Sequence, residues 1–315
     1  MIYLLYTMDI STIDIDLIRP YIKCISLPLS HSHKGENGKL LIIGGSSLFH
    51  AASLWSASIA SRIVDMVHYA STKENEKIFL KLKTSFVDGM VIKRKDLAQY
   101  VKEDDCILMG PGMVRSEKKP LPSSSPPINT LNDVFLLKDE PLYTYHLTHL
   151  LIKNFPDKKF VFDAGALQMM DPSWLLTLET KPILTPHIQE FHQLFGTDVT
   201  KLPLPQKQDV VVRTARQHNC IILLKAIEDI ISDGKELITI HGGNAGLTKG
   251  GTGDVLAGLT ASFNTKSDQL AASVISSFAL KKAGEKLNKT VGLFYNTTDV
   301  IHILPKILNE LFMVY

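Results

Sequence analysis

The chain has 315 residues, 45% of them hydrophobic and 21% charged, with a formal net charge of +2. Such a chain buries a full core as one large α/β domain or two small ones, and its near-balanced charge excludes a nucleic-acid surface or a polybasic membrane patch, leaving small molecules as partners. Three cysteines, Cys24, Cys106 and Cys220, lie scattered among apolar neighbours and read as reduced core thiols of a cytoplasmic protein, with no metal cluster suggested.

The first seven residues are apolar but lack a basic lead and run into Asp9, so neither a signal peptide nor a membrane span is expected, and Met8 is an alternative start. Ile10, Ile13, Ile15, Leu17, Ile18 and Ile22 recur at mixed spacing, which predicts a short helix over 9–24 within a lead-in at 1–30. The apolar run 39–43 predicts a buried strand, Gly44-Gly45-Ser46 a turn at its carboxyl end, and 51–64 a helix. In open parallel sheets ligands collect at such carboxyl ends. Strands are expected again at 66–70 and at 106–109, the latter closing in the sharp turn Gly110-Pro111-Gly112.

Residues 115–141 break the pattern with a Pro- and Ser-rich stretch, read as a loop between sheet units. A helix at 143–154 and a strand at 160–162 follow, the strand ending at Asp163. At Pro182-Ile-Leu-Thr-Pro-His187, Pro186 fixes φ and lacks an N–H, which stops the strand and sets His187 at the sheet edge before a helix. A helix at 210–218, a buried strand at 220–224, a hairpin from 230–231 into 237–240 and two amphipathic helices at 268–287 and 299–312 complete the chain. The alternation argues a doubly wound α/β arrangement.

One stretch carries the chemistry: Gly243-Asn-Ala-Gly-Leu-Thr-Lys-Gly-Gly-Thr-Gly-Asp-Val-Leu-Ala-Gly258. Gly250, Gly251 and Gly253 leave the backbone open to a ligand, and the helix that follows offers unpaired N–H groups and the positive end of its dipole to phosphate. Asp254 is then either an N-cap or a base beside that phosphate. A Walker loop is excluded because Lys249 precedes the glycines, and a dinucleotide fingerprint because Leu256 stands where a third glycine is needed.

The Gly-Thr-Gly-Asp core resembles the anion hole and base of the ribokinase-like superfamily, and the longer run closely resembles the ADP/ATP-dependent NAD(P)H-hydrate dehydratases. His31-Ser-His-Lys-Gly35 and Thr185-Pro-His187 with Glu190 match the same family. The resemblance implies a three-layer α/β/α fold around a mostly parallel sheet, with 31–315 as a single domain. No epimerase domain is expected in this chain, so an epimerase would come from another polypeptide. It implies nucleotide-dependent dehydration of NADH hydrate and NADPH hydrate, with ADP or ATP as phosphoryl donor, Mg2+ bridging the nucleotide phosphates, and Asp254 as the catalytic base.

Substrate contacts implied in this way are His33, Lys34, Ala52, Val114, His187 and Asp254. Nucleotide contacts are Lys225, Ala226, Ile227, Glu228, Asp229, Asn244, Gly250, Gly251, Thr252 and Gly253. Ala51, Val114, Gly165 and Ala226 depart from the family pattern in turns on the substrate side, and Val114 adds β-branched bulk where relatives keep glycine. Two other readings stay open: a small-molecule kinase of the same superfamily, acting on a hydroxymethylpyrimidine or hydroxyethylthiazole, and a non-catalytic adenylate-binding relative. Apolar helix surface after residue 268 suggests a homo-oligomer.

Overall fold

The computed structural model describes residues 6–84, 86–116 and 128–313. Most of the Pro/Ser-rich run, 117–127, lies outside the described residues. Ten strands form one sheet: β1 (Tyr6–Ser11), β2 (Lys39–Ile43), β3 (Met66–Ala70), β4 (Met90–Val91), β5 (Cys106–Met109), β6 (Lys159–Phe162), β7 (Ile183–Leu184), β8 (Ile221–Leu224), β9 (Asp229–Ser232) and β10 (Glu236–His241). Their order is β1-β10-β9-β8-β7-β6-β5-β2-β3-β4. All neighbours are parallel except β9, which runs against both β8 and β10 as the hairpin requires.

The strands read as continuous apolar runs because both faces are covered. Along β2, Leu40 and Ile42 enter one core while Leu41 and Ile43 enter the other, and all four are at most 1% exposed. Alternate side chains of a strand point to opposite faces, so two cores on one strand mean helices on both sides, the three-layer α/β/α arrangement. Each such buried Leu or Ile contributes about 1.5–3 kcal/mol. One core is closed by the helices Ala51–Ala60, Thr252–Asn264, Gln269–Val291 and Thr297–Phe312, the other by Glu140–Asn154, Ile188–Phe195 and Leu204–Gln217.

Three expectations are corrected. The predicted helix over 9–24 is instead a strand followed by the helix Ile15–Ile22: Met8 and Ile10 alternate with polar neighbours, and β1 pairs in register with β10, Ile10 opposite Ile240. The expected loop at 115–141 holds the short helix Leu131–Phe135, started by a reciprocal capping box between Thr130 and Asp133, and the first residues of the helix Glu140–Asn154. Cys24 is exposed, whereas Cys106 and Cys220 are buried as expected.

The parallel strands deliver their carboxyl ends to one edge of the sheet. At the end of β5, Gly110 has φ +124° and packs against the Asp163 carbonyl so closely that a Cβ could not be placed there. This contact draws the β5 and β6 turns together, next to the short β7 and to β8.

Candidate active site

The helix Thr252–Asn264 starts at Gly251, whose φ of +102° and position 2.5 Å, measured from an added Cβ, from the Trp55 ring admit no side chain. The loop before it is fastened from behind. Thr252 Oγ1 donates to the Leu247 and Lys249 carbonyls at 2.6 and 3.0 Å, and Thr297 Oγ1 donates to the Gly250 carbonyl at 2.7 Å. Lys249 turns away from the helix start, its ammonium donating to the Leu293 and Tyr295 carbonyls and lying 5.1 Å over the Tyr295 ring. Asn244 Oδ1 accepts from the Gly246 amide and the Tyr295 hydroxyl at 2.9 and 2.7 Å. The Thr252 amide donates back to the Lys249 carbonyl at 3.4 Å and the first intrahelical bond is that from the Val255 amide to the Gly251 carbonyl, so the Gly253 and Asp254 amides between them stand at the positive end of the helix beside the cleft. A Cβ on Gly250 would meet nothing within 4 Å.

The N-cap of this helix is Gly251 and Asp254 is its third residue, so Asp254 is not the N-cap. Burial and the nearby Asp163 push its carboxyl up to about 7, against the opposing pull of Lys225. Lys225, at the end of β8, places its ammonium 2.7 Å from Asp163 Oδ1 and 3.9 Å from Glu190 Oε2, and a Cβ on Gly253 would lie 3.3 Å from it. Burial works against that ammonium, yet Asp163 and Glu190 outweigh it and hold its pKa above the ordinary lysine value. Thr185 Oγ1 donates to Asp163 Oδ1 at 2.8 Å. Three carboxylates thus surround one ammonium; Asp163 and Asp254 both line the cleft, and Asp254 is the least buried of the three.

His187 bridges to Lys225 across the end of the sheet and caps the helix Ile188–Phe195. Its Nδ1 accepts from the Gln189 and Glu190 amides at 3.1 and 3.2 Å while Glu190 Oε2 accepts from the His187 amide at 2.9 Å. An accepting Nδ1 assigns the ring proton to Nε2. That side chain is 45% exposed and lines both the main cleft and a smaller neighbouring pocket. The main cleft, about 770 Å³, runs from Asp163 and His187 past Lys225 and Asp254 to the glycine loop and Lys281. Ala164, also on its wall, holds φ +43°, a left-handed conformation that is strained for a non-glycine residue and that clusters at functional sites.

The profile of the NAD(P)H-hydrate dehydratase family matches residues 40–306. The chain belongs to this family. It is 31% identical over 287 residues to the bifunctional NAD(P)H-hydrate repair enzyme Nnr of Methanocaldococcus jannaschii, covering 89% of this chain and 50% of that protein. With the ADP-dependent (S)-NAD(P)H-hydrate dehydratase of Cenarchaeum symbiosum it shares 29% identity over 288 residues, covering 88% and 90%. The chain therefore spans about half the length of the bifunctional relatives it matches and most of the Cenarchaeum protein. Among solved structures, the ADP/ATP-dependent NAD(P)H-hydrate dehydratase from Bacillus subtilis superposes with a TM-score of 0.74 at 21% identity, covering 93% and 97% of the two chains, and the fold is ribokinase-like.

Within this member of the NAD(P)H-hydrate dehydratase family the residues singled out in the sequence separate into three groups. Asp254, His187, Lys225, Ala226, Ile227, Asn244, Gly250, Gly251, Thr252 and Gly253 all line the main cleft. Asp229 lines it too but works as a brace: its Oδ1 accepts from the Ala226 amide at 3.0 Å and its Oδ2 from Ser277 at 2.7 Å, while Lys281 donates to the Ile227 carbonyl at 2.8 Å. Glu228, in the same turn, lines neither cavity, and Ala52 and Val114 stand beside the Gly112 turn and line neither.

His33 and Lys34 form the third group, and their expected substrate contact is corrected. They precede β2, hence sit at the amino edge of the sheet, exposed, in a loop held by Asp65, which accepts from the Gly35 and Asn37 amides at 2.7 and 3.1 Å. That loop packs on Thr265 at the far end of the helix whose start is the glycine loop, roughly 20 Å away at 1.5 Å per residue. Conversely, Asp163 as ion-pair partner, Lys281 as brace, and Gln168 and Arg115 beside His187 were not singled out as site residues. Only Asp163, at the end of an apolar run, carried a local signal.

Proposed function

We propose that this chain restores NADH and NADPH from their hydrates at the expense of an adenine nucleotide. The observation that carries the reading is Asp254: a carboxylate pushed up to about 7, at the cleft-facing start of a helix whose glycine loop is shaped for phosphate. A group titrating there accepts a proton at neutral pH with little penalty. The substrate hydroxyl loses its proton to Asp254 as its oxygen attacks the terminal phosphoryl group of ADP or ATP, which leaves AMP or ADP. The ring nitrogen's lone pair then expels inorganic phosphate from the adjacent carbon, and loss of a ring proton closes the double bond. The amides at the helix start and the Lys225 ammonium offset charge building on the transferred group.

The residues present fit a nucleotide: open space beside Gly250, the left-handed Gly251 and the turn 225–229 braced by Asp229 and Lys281 form a cradle a bulkier backbone would close. Among the described residues no three His, Cys, Asp or Glu side chains stand together for a metal, so Mg2+ would be held through the nucleotide phosphates, as the ATP/Mg2+ crystals of the Bacillus relative suggest. Bound there, Mg2+ would neutralise phosphate charge. A separate epimerase polypeptide, cytoplasmic residence and a homo-oligomer complete the proposal. Among the described residues no helix is long and apolar enough to cross a membrane.

The test is to incubate purified protein with NADH hydrate and to follow dihydronicotinamide absorbance with ADP, with ATP and without nucleotide. Recovery is expected only with nucleotide and magnesium. Recovery without nucleotide sinks the mechanism, and stable phosphorylation of a hydroxymethylpyrimidine or hydroxyethylthiazole with no action on the hydrate moves the assignment to the kinase reading.

A further inference from the structure

Beside the main cleft, and sharing His187 with it, lies a second pocket of about 250 Å³ into which Arg115, Gln168, Glu190 and Gln193 also face. Arg115 Nη1 donates to Gln168 Oε1 at 2.7 Å, and Gln168, only 3% exposed, passes its own Nε2 to Glu190 Oε1 at 2.9 Å. The guanidinium is thus aimed by a buried amide, yet among the described residues only one of its five N–H groups is used, and on a neutral carbonyl. Among the described residues no carboxylate pairs with it. Glu190 offers no competition: its oxygens already accept from Gln168 and the His187 amide, and the Lys225 ammonium lies 3.9 Å away on the other side. The His187 ring edges the same space, its Nε2 3.5 Å from Glu190 Oε1. A pocket with a fixed guanidinium that no carboxylate among the described residues pairs with selects an anion, and a planar fork selects phosphate or carboxylate.

We infer that this pocket receives a phosphate of the dinucleotide substrate and that the Arg115 guanidinium binds it. The inference rests on the dehydration reading for the identity of that substrate. The two cavities give the direction: with the ring hydroxyl at Asp254 and the glycine loop taken by the nucleotide, the substrate can extend past His187, which both cavities share, into the second pocket. Neither the glycine loop nor the residues that match the family motifs include Arg115.

The experiment is a calorimetric titration of ADP-ribose, which carries the diphosphate without the nicotinamide ring, into protein whose main cleft is saturated with a non-hydrolysable ATP analogue. Arg115→Ala should weaken ADP-ribose binding by roughly 10- to 100-fold, the span of a charge-assisted hydrogen bond, and Arg115→Lys should restore part of it. Melting should not move, since Arg115 is exposed. Absence of ADP-ribose binding to the parent protein, or equal affinity in Arg115→Ala, overturns the inference. Turnover is read separately: KM for NADH hydrate should rise by the same factor in Arg115→Ala with kcat and nucleotide KM kept. A parent that binds ADP-ribose through Arg115 but fails to dehydrate the hydrate leaves the phosphate pocket standing and removes the dehydration reading. Equal KM for the hydrate in both proteins does the reverse.

Discussion

Two buried charge clusters sit at opposite edges of the same sheet and behave in opposite ways. At the amino edge, His68 Nδ1 lies 2.8 and 2.9 Å from the two Asp104 oxygens, both residues are at most 1% exposed, and the Lys158 ammonium donates to the Asp104 carbonyl at 3.1 Å. One acid meets one base and no solvent reaches them. At the carboxyl edge, Lys225 serves Asp163 and Glu190 and also opposes Asp254, so acids outnumber bases and the surplus carboxylate opens on a cleft. A balanced, sealed pair is a structural contact, whereas an unbalanced cluster with one open member stores a proton equilibrium near neutrality, where chemistry can use it.

The sharpest break of that comparison is Asp254→Asn, which should lower kcat by roughly 10² to 10⁴, the span of a positioned general base, with nucleotide affinity kept. A variant retaining more than about a tenth of the parent's kcat would remove Asp254 from the role. Stability should move the other way. A carboxyl whose folded pKa is raised from 3.8 to about 7 binds more protons folded than unfolded between those values, so its contribution falls as pH rises through this window. Asparagine removes that penalty: the melting gain of Asp254→Asn over the parent should be absent near pH 4 and fully developed above about pH 7. A gain that shrinks with rising pH would contradict the assigned shift.

At the sealed edge the prediction inverts. Asp104→Ala leaves the buried His68 Nδ1 without its hydrogen-bond partner and should destabilise the protein by about 1–3 kcal/mol, while kcat of the folded fraction stays unchanged. Chemical unfolding and turnover on one preparation read both. Lys225→Met tests the crowded edge from the cation's side. Because Lys225 holds Asp254 down, its loss should move the acidic limb of the kcat/KM profile to higher pH, each unit lowering activity on that limb about tenfold. A limb left in place would show that another group sets it.

How much of this was legible in the sequence follows the same division. The strands were, because burial on both faces writes them as apolar runs such as 39–43 and 106–109. So was the glycine loop, a local feature in which every part is contiguous. β1 was missed because six alternating residues acquire meaning only through β10, 230 residues later by the Tyr6–Glu236 pairing. Asp163, Gln168 and Lys281 acquire their roles from partners 62, 22 and 54 residues distant. His33 and Lys34 erred in a simpler way: a motif next to a strand marks the site only if it follows the strand, and these precede it.

His187 stands between the two kinds of region, and it yields the smallest effect and the finest distinction. Its Nδ1 is spent on the amides of its own helix, as at a sealed site, while Nε2, 3.5 Å from Glu190 Oε1, sits on a ring 45% exposed to the cavities. Asparagine caps nearly as well as the residues it replaces at helix starts, so His187→Asn should keep melting within about 1 kcal/mol of the parent while losing the Nε2 donor. A neutral hydrogen bond is worth about 0.5–1.5 kcal/mol, which converts to a rise in KM for the hydrate of roughly 2- to 12-fold with kcat largely kept. His187→Ala loses cap and donor together and should show the same KM with an added fall in stability of about 1 kcal/mol. If His187→Asn matches the parent in KM while His187→Ala is merely less stable, the histidine belongs with the sealed edge and its exposed nitrogen meets only water.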